Sequence, residues 1–298
     1  MTRPIQTAVA RALSQTTADR ALPRARAAVD ETRSQLATGL RVQRPSDDPA
    51  AFARARTMER LEGRLAQHGR GVGAARTWVD RTQVEVDAIA ELFVQAKEAG
   101  LRAANAGIYD PEELALQVES LRDEALSRLR AESGGEYLFA GNATATAPLA
   151  ADGTPAAGDF GGRRTREVAP GVTVALNVTG DDALSVGGVP TLDRFQDMAD
   201  AIRAGDPAAV AAALDGVDTG ADHFVRLGAQ TGNVARRLRD AEANLENQAV
   251  IAGEGRAAAE EIDLAEVLSA MERRQTALEA ALRASAASVQ TTILDYLR

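Results

Sequence analysis

The sequence predicts a mainly α fold of long antiparallel helices, with paired N- and C-terminal coiled-coil segments and a small β-rich insert. Three observations carry that expectation. From Ile262 to Arg298, alternating steps of four and three visit Leu264, Leu268, Met271, Gln275, Leu278, Leu282, Ser285, Val289, Thr292 and Tyr296. Seven of these ten positions are apolar or aromatic, which is a heptad seam. Aromatic residues make up only 3% of the 298 residues while alanine is abundant, a composition suited to close-packed long helices. Between Gly134 and Pro190 the composition shifts to glycine, threonine and alternating β-branched residues.

The first helix is expected from about Pro4 to Thr38, with Ile5, Val9 and Leu13 at steps of four and Leu22, Val29 and Leu36 at steps of seven. Pro23 lies between the two halves, where the missing amide and the ring predict a kink or break. Gly39 suits a left-handed helix end. Pro45, Ser46, Asp47, Asp48 and Pro49 form a loop and helix start, with Asp48 as N-cap and Pro49 in the first helical position. A second helical pattern runs from Ala50 to about Ala104, with Gly69, Gly71 and Gly73 as places to bend. Asp110-Pro111-Glu112-Glu113 starts a third helix in the form of a capping box.

Within the insert, Val172, Val174, Leu176 and Val178 share one face of a strand. Arg163 to Val168 can pair with it through Ala169-Pro170-Gly171. The flank from Ala143 to Gly158 reads as a surface loop with little to bury. Helices resume near Thr191, and Asp206-Pro207 caps a long stretch to about Gln248. Ala252-Gly253-Glu254-Gly255 is expected to separate that stretch from the terminal seam. A terminal helix of this length spans about 55 Å at roughly 1.5 Å per residue, so its apolar stripe needs another long helix or further copies of the chain.

Bulk properties narrow the function classes. A net charge of -9 disfavours sequence-independent nucleic-acid binding, which needs clustered Lys and Arg. The absence of cysteine excludes disulfide and thiolate chemistry. No apolar run is long enough to span a bilayer, and the first residues lack the apolar stretch of a cleaved signal peptide. His68 and His223 stand far apart and neither has metal-ligand spacing. The carboxylate pairs Asp47-Asp48 and Glu112-Glu113 are explained by helix capping, since adjacent helical residues do not face one another. Gly69, Gly71 and Gly73 follow no strand and precede no lysine at nucleotide-binding spacing. No catalytic residue, metal or cofactor is therefore expected, and the chain is not expected to be an enzyme.

Four segments carry a resemblance to a known family. Ser34-Gln-Leu-Ala-Thr-Gly-Leu-Arg-Val-Gln-Arg-Pro-Ser-Asp-Asp-Pro49 resembles the N-terminal signature of the bacterial flagellin superfamily. The proline on each side of Ser-Asp-Asp looks like its hook-associated protein 3 branch, the junction proteins, more than like flagellin itself. Gly135-Glu-Tyr-Leu-Phe-Ala-Gly141, Thr231-Gly-Asn-Val-Ala-Arg-Arg-Leu238 and the segments Ile262 to Glu266, Gln275 to Ala280 and Ile293 to Leu297 are similar to that branch in the same order.

The resemblance implies a structural protein of the hook-filament junction that is exported unfolded, without a cleaved signal, to the extracellular flagellum. It implies as partners further copies of the chain, an adjoining hook-associated protein, flagellin and an export chaperone, with no nucleic acid and no membrane. The expected domains are 1–45 with 255–298 for assembly, 46–134 with 191–254 as a long-helix core, and 135–190 as the outer β-rich insert. Ile5, Val9, Leu13, Leu264, Leu268, Met271, Leu278, Leu282, Val289, Ile293 and Leu297 are the expected assembly and chaperone-binding surface. Two alternatives stand beside it: a flagellin forming the filament proper, and a cytoplasmic coiled-coil adaptor.

Overall fold

A computed structural model describes residues 3–105, 110–169 and 171–296; for residues 3–19 and 287–296 it describes the backbone alone. The fold is mainly α. Long helices α1 (Arg3–Thr38), α2 (Pro49–Ala104), α6 (Pro207–Glu260) and α7 (Leu264–Tyr296) are joined by the shorter α3 (Pro111–Leu129), α4 (Gly180–Leu184) and α5 (Thr191–Ala204). The strands among the described residues are short: β1 (Glu132–Ser133), β2 (Glu136–Tyr137), β3 (Thr165–Ala169), β4 (Val172–Ala175), β5 (Ser185–Val186) and β6 (Val189–Pro190). They form three separate antiparallel pairs, β1 with β2, β3 with β4 and β5 with β6. The chain divides into two compact units, residues 1–63 with 250–298 and residues 64–249.

In the first unit, α1 continues through Pro23, so of the expected kink or break the break is absent. The proline is exposed, and α7 packs along the residues that follow it. Lateral packing of that kind offsets the one backbone hydrogen bond the proline removes. Gly39 ends the helix at φ 71°, in the left-handed region that favours glycine. Asp48 Oδ1 then accepts from the amides of Ala50 and Ala51 at 3.1 and 2.9 Å, the cap that opens α2.

A second expectation fails at Ala252 to Gly255, where no break occurs: α6 continues to Glu260. Ala252 is buried, Gly255 lies against Met58 of α2, and Arg256 bridges Glu62 and Glu260 at 3.2 and 2.6 Å. Those contacts outweigh the roughly 1 kcal/mol that each helical glycine costs relative to alanine. The break falls at Glu261-Ile262-Asp263, and Asp263 Oδ1 caps α7 by accepting from Ala265 N and Glu266 N at 2.9 and 3.2 Å.

The second unit is built around Phe93, whose ring lies tilted against Phe195 and stacked on Phe224 with centroids 4.4 and 5.7 Å away. Ile89, Leu129, Met198, Ile202 and Leu238 are fully buried with them. Gly220 faces the Phe93 ring so closely that no side chain fits there. Asp110 caps α3 through the Glu112 amide at 2.9 Å. Arg203 of α5 joins Glu112 and Glu119 of α3 at 3.0 and 2.9 Å.

The predicted hairpin is present as β3 and β4, with Thr165 opposite Ala175 and an irregularity between Glu167 and Ala169. Val174, Leu176 and Val178 face inward, while Val172 is exposed. Arg164 lies 4.5 Å over the ring of Trp78 and pairs with Glu136 at 3.0 Å. The flank expected to have little to bury does bury Leu149, which bridges to Pro155 across a turn. One leucine and a proline suffice to fold an alanine-rich loop back on its own unit.

Candidate assembly surface

The terminal helices enter through two connectors that are clasped together. Arg41 N and Val42 N donate to Glu260 O at 2.7 and 3.3 Å, and Ile262 N donates to Gly39 O at 3.1 Å. Leu40 and Glu261 form an antiparallel bridge, and Arg41 Nη2 reaches Ala259 O at 3.1 Å. The Pro45 to Pro49 motif builds one side of this clasp. Asp47 Oδ2 accepts from Arg44 N and Gln43 N at 2.9 and 3.0 Å, which closes the turn. Amides from Arg44 and Gln43 hold the Asp47 carboxyl below its ordinary range, and the Ala51 amide does the same most strongly for Asp48. Pro45 and Ser46 are exposed at the tip, where Ser46 Oγ contacts Asp47 at 3.4 Å.

Beyond the clasp, α1 and α7 pack antiparallel. On α1 the sheltered residues are Leu22, Ala25, Ala28, Val29, Thr32, Gln35 and Leu36, which lie along one helical stripe. On α7 they are Val267, Ala270, Met271, Arg274, Leu278, Ala281 and Ser285. Arg274 joins the two faces, donating to Thr32 Oγ1 at 2.5 Å and Ala28 O at 3.0 Å. The pairing is shallow. Between residues 264 and 286 no side chain of α7 is fully buried, and on described α1 only Val29 and Thr32 are.

This arrangement divides the predicted surface. Met271 and Leu278 sit in the inward seam, half-buried. Leu264, Leu268 and Leu282 do not; they form an outward stripe, 58%, 49% and 42% exposed. The heptad reading therefore overstates how much of the stripe lies inward: Arg274 and Ala281 occupy places where Gln275 and Leu282 would follow from the periodicity. Ile5, Val9, Leu13, Val289 and Ile293 lie on helical backbone with side chains outside the described residues, and Leu297 lies outside them altogether. The structure also exposes Val250 and Ile251 on α6, at 61% and 66%. Sequence reasoning missed this pair, whose signal is two adjacent β-branched residues between polar stretches of a helix.

Elsewhere the polar side chains serve the fold. His223 Nε2 lies 2.6 Å from Asp182 O, and its ring meets Phe224 edge-on at 5.6 Å. Among the described residues no three His, Asp or Glu gather as a metal site, and no helix is long and apolar enough to cross a membrane.

Comparison with known proteins bears on the N-terminal part of the chain. Residues 9–144 match the bacterial flagellin N-terminal helical region. The flagellar hook-associated protein 3 of Escherichia coli (strain K12) is 30% identical over 118 residues, covering 39% of this chain and 37% of that protein. Its counterpart in Salmonella typhimurium is 27% identical over 151 residues, covering 49% and 47%. The chain thus aligns with less than half the length of these curated relatives. Among solved structures, a putative flagellar hook-associated protein from Vibrio parahaemolyticus superposes with a TM-score of 0.65 at 22% identity, over 72% of this chain and 99% of that one. The flagellar junction protein FlgL from Legionella pneumophila gives 0.57 at 14% identity, over 70% and 100%. At these identities the structural likeness is one of fold.

Proposed function

We propose that the chain belongs to the flagellin superfamily, in its hook-associated protein 3 branch, and that it is a structural component of the bacterial flagellum, forming the junction between hook and filament; the matching N-terminal region and the two partial relatives support this reading. Its role is to bind neighbours rather than to transform a substrate. Its partners are further copies of itself in a ring, an adjoining hook-associated protein, flagellin, and an export chaperone that covers the terminal helices beforehand. It acts outside the cell, after export in an unfolded state.

The observation that carries this reading is the partly covered apolar stripe of α7. One face lies on α1, while Leu264, Leu268 and Leu282 remain outward at 42% to 58% exposure. A helix whose apolar stripe is wider than the face its partner covers is a helix awaiting a neighbour. The shallow inner seam supports a second part of the proposal, that the α1 and α7 pair is marginal in the free subunit and firm in the assembly. Ordering a residue costs about 1–2 kcal/mol of backbone entropy, and a pair with so few buried side chains offsets little of it. Residues 1–45 with 255–298 are accordingly the proposed assembly domain, 46–134 with 191–254 the core, and 135–190 the outer insert.

Seeding tests the reading. Purified chain added to isolated hooks carrying the adjoining hook-associated protein should add a short layer and stop. Indefinite elongation would assign it to the filament proper, and no addition at all would remove it from the flagellum.

A further inference from the structure

The inward seam of α7 is not its most apolar face. Leu264, Leu268, Met271, Leu278 and Leu282 define one stripe, yet the residues that shelter against α1 are Val267, Ala270, Met271, Arg274, Leu278, Ala281 and Ser285. At about 100° per residue, the two stripes are centred roughly 70° apart around the helix. Hydrophobic burial alone favours rolling α7 by that angle, which would hide the three leucines on α1. Something holds the helix at the less apolar setting.

Arg274 is placed to do so. Among the described residues it makes the only hydrogen bonds between α1 and α7: Nη1 donates to Thr32 Oγ1 at 2.5 Å and to Ala28 O at 3.0 Å. Glu31 adds a carboxylate 3.9 Å away. Thr32 is fully buried and donates its hydroxyl to the same Ala28 carbonyl at 2.8 Å. Arg274 is the single charge among the sheltered positions of described α7, and Thr32 the single hydroxyl among those of described α1. The other sheltered positions are alanine, larger apolar residues, Gln35 and Ser285, none of them charged. The backbone clasp at Gly39 and Ile262 holds the base of the pair.

We infer that Arg274 and Thr32 form a rotational peg that holds α7 with Leu264, Leu268 and Leu282 facing outward, against the pull of those leucines toward α1. A polar pair in an apolar seam that selects one arrangement at some cost in stability is a known device of coiled coils. That the outward leucines then serve neighbouring subunits rests on the function proposed above; the rotation itself does not.

The chain has no cysteine, so a single introduced one reports its own surroundings. Gln275 is exposed and lies on the face that a roll would bury; Ala281 is sheltered and lies on the face that a roll would expose. The experiment measures thiol reactivity of Gln275→Cys and Ala281→Cys in the full chain, each with Arg274 and with Arg274→Leu. The inference predicts that Arg274→Leu slows the thiol at 275 and speeds that at 281, shifting their ratio about fivefold or more, while Arg274→Lys restores much of the original ratio. Thr32→Val should act like Arg274→Leu, and Thr32→Ser should not. An unchanged ratio overturns the inference. So does a rise at both positions together, because the pair has then melted and Arg274 only stabilises it. Neither readout requires assembly, so failure of the junction role leaves the test intact.

Discussion

Replacing Leu264, Leu268 and Leu282 together by alanine removes the outward stripe without touching the inner seam. Full burial of a leucine contributes ~1.5–3 kcal/mol. At exposures of 58%, 49% and 42%, the three retain about one and a half leucines' worth of uncovered surface, or roughly 2–4 kcal/mol per subunit if neighbours cover it all. That corresponds to a loss of roughly 30- to 700-fold in affinity for the growing structure. Stability of the free chain should hardly change, since the lost side chains are half in water and alanine is a slightly better helix former than leucine. The assay is cosedimentation of purified chain with isolated hooks over a concentration series, beside thermal unfolding of the free chain. Unchanged cosedimentation would refute the assignment of the stripe to assembly. A fall in the unfolding temperature with normal cosedimentation would show that the leucines pack within their own subunit instead.

Other perturbations test the rest of the account. The Asp48 carboxyl is held below its usual 3.8, chiefly by the Ala51 amide, so its contribution to the cap is present above that value and is lost as the pH falls through the lower one. Asp48→Asn should keep the cap and remove this acid sensitivity, whereas Asp48→Ala should lower the unfolding temperature at neutral pH; equal melting of all three forms would contradict the capping role. Trp78 is the sole tryptophan and lies under Arg164, so Arg164→Ala should red-shift its emission as water reaches the ring, and an unmoved spectrum would place the β3–β4 hairpin elsewhere. Gly220→Ala would gain ~1 kcal/mol in an open helix. Here the added methyl meets the buried Phe93 ring, so the unfolding temperature should fall, and a rise would contradict the described core.

Much of the fold was legible because local chemistry decided it. Asp48, Asp110 and Asp206 each precede a proline, and each accepts an amide at the start of a helix as the residue types predict. The hairpin from Thr165 to Ala175 follows from alternation around a turn. The absent break at Pro23 and the helical glycines at 253 and 255 share one reason: propensity is local, while Met58, Glu62 and α7 are brought alongside by the fold. Periodicity likewise found the apolar positions of α7 without saying which would face α1. That choice depends on one hydroxyl, Thr32, some 240 residues away in sequence and on the opposite helix. Val250 and Ile251 were missed because a pair of exposed β-branched residues leaves no periodic signal.

The most direct test of the central claim is the position of the protein in intact flagella, read by gold-labelled antibody against the chain. The account predicts label confined to a narrow band where hook meets filament. Label along the whole length of the filament, or signal retained inside cells with a working flagellar export apparatus, would contradict it.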